Sequence, residues 1–152
     1  MKKYLFTFLI ALIIGFFLSN FFLKQYDDYS GIKVSNVGEK LYFIQYGVFS
    51  NLESLEENTI SLQNYVYNKQ DNLYYVYIGI TKEAENAKKI IDYYKQKGYE
   101  TIKKEYVISN HKFLDILLNY DEVLKSTTDE TVISSILNQI LSKYEEVVIN
   151  GG

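Results

Sequence analysis

The sequence predicts an α+β fold in which one strand-helix unit is used twice, between an apolar N-terminal run and a helical C-terminal pair. Three observations predict it. Tyr42-Phe43-Ile44-Gln45-Tyr46-Gly47-Val48-Phe49 and Tyr74-Tyr75-Val76-Tyr77-Ile78-Gly79-Ile80-Thr81 are both filled with aromatic and β-branched residues, as strands are. Each is followed at once by a helical pattern, and the two units superpose without a gap at an offset of 32 residues, Gly47 falling on Gly79 and Leu55 on Ala87. Tyr4 to Leu23 is almost wholly apolar, and the last forty or so residues carry helical spacing throughout.

Composition narrows the chemistry. The chain has 152 residues, enough for one modest domain with appendages, and 47% of them are hydrophobic, enough to build a core. It has no cysteine, so disulfides, thiol nucleophiles and cysteine-ligated metals are excluded. All 16 basic residues are lysine, and His111 is the single histidine. Beyond the apolar run, 14 lysines stand against 19 carboxylates, a net charge of −5. An acidic domain argues against nucleic acid, whose phosphates need a basic footprint.

The run Tyr4–Leu23 is interrupted only by Thr7, Gly15, Ser19 and Asn20. As a helix, twenty residues span about 30 Å, the thickness of a bilayer core. Lys2 and Lys3 precede it and Asp27 and Asp28 follow, which sets the N-terminus inside. Phe21, Phe22 and Leu23 continue the run where a cleavage site would need small residues. We therefore read residues 1–23 as an uncleaved single-pass anchor in the cytoplasmic membrane; a cleaved signal peptide is the competing reading, and both place the remainder outside that membrane. Residues 24–39 are polar and read as a linker.

The folded part starts with a strand over Leu41–Gly47. Ser50-Asn51-Leu52-Glu53 fits a capping box, and Leu52, Leu55, Thr59, Leu62 and Val66 follow at helical spacing. A short second strand fits near Val66–Lys69, Gln70-Asp71-Asn72 reads as a turn, and Leu73–Ile80 is the third strand. Thr81 is placed to cap the second helix, whose inner face reads as Ala84, Ala87, Ile91 and Tyr94, and Gly98 marks its end. Thr101–Ile108 reads as the last strand. The order β-α-β-β-α-β over residues 40–109 is the ferredoxin-like split βαβ: an antiparallel four-stranded sheet with two helices on one face and the other face open.

Residues 110–152 read as an α-helical hairpin. Phe113, Leu114, Leu117, Leu118, Val123 and Leu124 mark one helix. Thr127 with Glu130 fits a capping box for the next, which carries Ile133, Ile136, Leu137, Ile140, Leu141, Tyr144 and Val148. The hairpin either packs on the sheet domain or binds a partner. Gly151-Gly152 reads as a frayed end.

Strand alternation sets Tyr42, Ile44, Tyr46, Tyr74, Val76 and Ile78 under the two helices, and Phe43, Gln45, Gly47, Tyr75, Tyr77 and Gly79 on the open face. Aromatic rings beside an amide suit a sugar ligand: rings offer flat apolar platforms, and an amide both donates to and accepts from hydroxyl and N-acetyl groups. The competing reading is that the C-terminal hairpin covers this face and makes it core.

Tyr42 to Ser50 resembles the opening of a SPOR domain, aromatic-x-Val-Gln-x-Gly-x-Phe followed by a small polar residue. Tyr74-Tyr75-Val76-Tyr77-Ile78-Gly79, followed by Lys82 to Ala87, is similar to that family's second half, Tyr-Arg-Val-x-Val-Gly-Pro-Phe and then Glu-x-Ala. The resemblance spans roughly Lys40 to Ser109. It implies the βαββαβ fold, binding of peptidoglycan glycan strands stripped of stem peptides, and a place in membrane-anchored cell-division or sporulation proteins. Position by position it puts Gln45 on the glycan-facing sheet, flanked by Phe43 and Tyr77, with Tyr75 where the family has its arginine and Ile80 where it has proline.

No catalytic constellation is legible, and the chain is expected not to be an enzyme and to carry no cofactor. His111 stands alone beside a helix start, and the adjacent pairs Glu56-Glu57 and Glu145-Glu146 point apart on helices. The expectation is a membrane-anchored envelope protein that binds peptidoglycan through Phe43, Gln45, Tyr75 and Tyr77. The alternative is an assembly module whose sheet domain and helices contact an envelope protein.

Overall fold

The computed structural model describes residues 38–151. Strand β1 (Glu39–Phe49) leads into helix α1 (Leu52–Thr59); β2 (Val66–Gln70) and β3 (Leu73–Thr81) follow, then α2 (Ala84–Gln96), β4 (Ile102–Ile108), α3 (His111–Ser126), α4 (Glu130–Tyr144) and a terminal π-helical turn (Glu145–Ile149). The sheet order is β2-β3-β1-β4 with every neighbouring pair antiparallel, which is the expected split βαβ arrangement. The anchor read at residues 1–23 and nearly all of the linker lie outside the described residues. Among the described residues no helix is long and apolar enough to cross a membrane.

Local chemistry explains most element boundaries. Asp71 and Asn72 both take positive φ, +52° and +62°, forming the two-residue turn that suits the twist of a β2–β3 hairpin. Gly98, at φ +83°, ends α2 in the left-handed conformation as expected. β1 begins at Glu39, earlier than the linker boundary implied, because Glu39 and Lys40 pair with Ile108 and Val107.

Two capping boxes give way to neighbouring side chains. Asn51, not Ser50, caps α1, its Oδ1 accepting from Ser54 N at 2.8 Å. Asp129, not Thr127, caps α4, accepting from Thr131 N and Val132 N. Asp outranks Thr as an N-cap, and Asn51 and Asp129 each stand nearer the first turn than Ser50 and Thr127. The stripe read from Leu52 to Val66 is cut short. α1 ends at Thr59, whose hydroxyl bonds back to Leu55 O, so Leu62 falls in a loop and Val66 starts β2. Thr81, expected to cap α2, stands two residues too early: the N-cap is Glu83, with no side-chain cap bond, and the Thr81 hydroxyl accepts from Glu83 N while donating to Asp121.

The inner face of α2 is also turned from the one expected. Asn86, Ala87, Ile90 and Tyr93 are buried, Ile91 and Tyr94 are half-buried and Ala84 is exposed. The reason is that α2 has two neighbours. Ile90 packs on the sheet at Gly79 and Ile44, while Asn86 and Lys89 bond to α3.

The larger departure concerns layers. α1 and α2 cover one sheet face. The C-terminal hairpin covers the other: α4 packs against β3, and Tyr144 at its end stacks edge-on against Phe43 of β1. β1 is therefore buried on both sides, with Leu41, Phe43 and Ile44 all essentially inaccessible. One apolar core runs through all three layers, from Ala87 and Ile90 of α2 through Ile78 and Ile80 to Leu137 and Ile140 of α4. The open face expected from the sequence is not open, and the reading in which the hairpin mates with it holds.

Candidate functional site: a covered sheet face

The four residues expected to bind a ligand lie on one face of the two central strands. Gln45 is the ladder partner of Tyr77, and Tyr75 precedes Tyr77 by two residues on β3. Phe43 is 2% exposed, Tyr77 4% and Gln45 6%; Tyr75 is half-buried and flanked across its ladders by the exposed Val48 and Asn68. The expectation that all four meet solvent is thus corrected, because α4 and the turn after it occupy their face.

Alternation carries only part of the expected face. Ile44 pairs with Gly79 but Gln45 pairs with Tyr77, so the ladder passes over Ile78; Gly47 then pairs with Val76, so it passes over Tyr46. These compensating shifts reverse the two-residue rhythm beyond them. Gly79, expected on the ligand face, instead faces α2, where a Cβ would lie 2.9 Å from the Ile90 side chain and 3.4 Å from Ile44. That close approach is why glycine stands there.

The covered face is an aromatic cluster that the sequence reading named only in part. Phe43 makes T-shaped contacts with Tyr77, Tyr106 and Tyr144 at centroid distances of 5.3, 5.1 and 5.4 Å. Phe113 of α3 adds another to Tyr144 at 5.2 Å. The hydroxyls of Tyr77 and Tyr106 share a hydrogen bond of 2.5 Å. Burial first, then the Tyr106 hydroxyl, pushes the Tyr77 phenol far above its ordinary pKa, so it stays neutral. Gln45 Oε1 is buried with no hydrogen-bond partner. Tyr106 was legible only as a strand residue, and its part here comes from pairing with Leu41 across the β1–β4 ladder.

An unpartnered buried acceptor costs roughly 1–3 kcal/mol. Gln45→Leu, which fills similar space without polar atoms, is expected to raise stability by about 1 kcal/mol in chemical denaturation. A loss of stability would mean that the amide is satisfied in solution.

A second polar constellation was missed altogether. Asp121 of α3 is buried where the apolar stripe Phe113, Leu114, Leu117 and Leu124 would call for a hydrophobe. One carboxylate oxygen accepts from the Thr81 hydroxyl and from Asn86 Nδ2, the other from Lys82 N at 2.8 Å. Burial raises the carboxyl pKa, against the lowering effect of those donors. Nearby, the Lys89 ammonium donates to the carbonyls of Leu124, Lys125 and Thr127, satisfying the end of α3 where the helix dipole favours a cation. A carboxylate at a buried heptad-like position was the available signal for Asp121.

Elsewhere the surface offers less. An open groove of about 480 Å³ lies on the outer side of the hairpin, lined by Tyr120, Ser134, Ser135, Asn138 and Gln139 among others. Its side chains already bond one another, as in Tyr120 to Gln139 and Gln139 to Ser135. His111 is exposed at the start of α3, where the cap is Asn110. Among the described residues no cluster of His, Cys, Asp or Glu has the makings of a metal site.

No protein family and no curated relative matches the chain. Among solved structures it is similar to the solution structure of the peptidoglycan binding domain of the B. subtilis cell wall lytic enzyme CwlC. The two are 28% identical over 50% of this chain and 99% of that domain, with a TM-score of 0.39. The fold described above rests on the strand register of this chain, and its agreement with the order read from the sequence assigns it to the α+β class with a βαββαβ sheet.

Proposed function

We propose that this chain is a non-enzymatic envelope protein whose sheet binds peptidoglycan glycan strands. Residues 1–23 anchor it in the cytoplasmic membrane with the N-terminus inside and the domain outside, in cell division or sporulation. In this reading Phe43, Tyr75 and Tyr77 stack on sugar rings, and Gln45 bonds hydroxyl or N-acetyl groups. The observation that supports it is the register: the two stretches that resemble a SPOR domain are neighbouring central strands, and Gln45 stands opposite Tyr77. Anchoring would confine the domain near the wall and raise its effective concentration there.

The test is retention of the protein by purified sacculi, with and without amidase removal of stem peptides. Retention should rise on stripped sacculi. Tyr75→Ala, the accessible member of the set, should weaken it by about tenfold, as expected for the loss of roughly 1–1.5 kcal/mol of stacking. Equal retention of Tyr75→Ala and the parent would remove Tyr75 from the site.

A second reading, an assembly module for an envelope complex, has one observation in its favour. β4 is an edge strand with Ile102 57% and Val107 70% exposed, apolar side chains beside unpaired backbone groups. A concentration-dependent oligomer in size-exclusion chromatography, dissolved by Val107→Lys, would favour it.

A further inference from the structure

We infer that the hairpin His111–Ile149 is a displaceable occupant of the ligand face, held there by a polar latch and exchanged for glycan. The inference rests on the peptidoglycan reading for the identity of the competitor.

The covered face and its cover are chemically mismatched. Gln45 Oε1 has no partner, and the Tyr77 and Tyr106 hydroxyls have only each other. Above them sit the rings of Tyr144 and Phe113. A permanent core gains nothing from an orphaned amide oxygen, whereas a ligand face needs one. Tyr144 lies edge-on to Phe43, where a stacked sugar ring would make the same kind of apolar contact.

The hairpin is also built to move as a unit. Its helices pack on each other, and its two ends are tied together: Asn110 Oδ1 caps α3 while Asn110 Nδ2 donates to Val147 O at 3.0 Å. The turn carrying Val147 is π-helical, a wide and costly geometry that recurs at functional positions. The βαββαβ unit is topologically complete at Ile108, so hairpin departure breaks no strand pairing.

The polar ties from the hairpin run to the end of β3, to α2 and to the loop before β2. Asp121 bonds to Thr81, Lys82 and Asn86, and Lys89 holds the end of α3. Asn64 donates to Asn138 O, and Lys97 pairs with Glu130 at 3.6 Å. A closed state held by the shared apolar core and the latch together weakens apparent ligand affinity by its closing equilibrium constant, and loosening the latch restores part of that affinity.

The test uses the full chain in detergent. Native-state hydrogen exchange should show α3 and α4 amides exchanging together, about tenfold or more faster than those of β1 and β3. At subsaturating stripped sacculi, Asp121→Ala should raise retention about tenfold and Lys89→Met by a smaller factor. Adding Gln45→Leu to either should cancel the gain. If Asp121→Ala fails to fold, Lys89→Met carries the comparison. Hairpin amides as protected as the sheet's would overturn the inference. So would latch variants that open faster yet bind no better than a binding parent, with the wall-binding reading left standing. If no variant is retained although exchange reports opening, the peptidoglycan reading falls, and this inference with it.

Discussion

Phe43→Ala is expected to lower stability by about 3–5 kcal/mol, the range for deleting a fully buried aromatic ring. The ring is 2% exposed and touches tyrosines from β3, β4 and the end of α4. Truncation removes its burial and its edge-to-face contacts, each worth about 0.5–1.5 kcal/mol beyond area. It also leaves a cavity between rigid rings that cannot collapse into it. Urea denaturation followed by tyrosine fluorescence is the measurement. A surface stacking residue would lose less than about 0.5 kcal/mol. A small effect would therefore mean that the hairpin stands off the sheet in solution, a distinction no binding assay makes alone.

Asp121→Ala is expected to cost about 3 kcal/mol, because it leaves the buried Thr81 hydroxyl proton and the half-buried Lys82 amide without their acceptor. Asp121→Asn separates charge from shape. Its amide oxygen still accepts from Thr81 and Asn86, but its NH₂ meets the Lys82 N–H and loses that bond. The pH dependence follows from the direction of the shift. Burial raises the folded-state pKa of Asp121 above its unfolded value, so the folded state holds the proton to higher pH. Between those two pKa values the folded state binds more protons, and Asp121's contribution to stability falls as pH rises. The advantage of the parent over Asp121→Asn should accordingly narrow as pH climbs out of the acid range, then level off. An advantage that widens with pH would mean that the donors around the carboxylate outweigh its burial.

What was legible in the sequence was local. The β2–β3 turn at Asp71-Asn72 and the end of α2 at Gly98 depend on backbone conformations that only certain residues accept, so the residue names announce them. The repeated strand-helix unit was legible because aromatic and β-branched runs bounded by turns have few other uses. The caps were misread by one or two residues, since Ser50 and Asn51, or Thr127 and Asp129, compete for the same amides and backbone geometry chooses. The face of Gly79 was misread because alternation assumes an unbroken ladder, and the breaks at Tyr46 and Ile78 belong to the pairing of two strands rather than to either alone.

The candidate site was legible as a set and illegible as a surface. Alternation brings Phe43, Gln45, Tyr75 and Tyr77 to one face, where they are found together. What covers that face depends on where residues 111–149 dock, and their periodicity states only that they need an apolar partner. Asp121 was the overlooked clue, since a carboxylate inside an apolar stripe must find donors on whatever the helix packs against.

The placement of β1 bears on how the domain carries load. The first strand of the folded unit is held along both edges, by β3 over Tyr42–Phe49 and by β4 over Glu39–Gln45. A pull entering at Glu39 runs along the strand axis and loads the hydrogen bonds of both ladders together, in shear, instead of opening them one after another. Tension entering from the N-terminal side would thus fall on the strand hardest to peel away, and the outer strand β2 would be spared it.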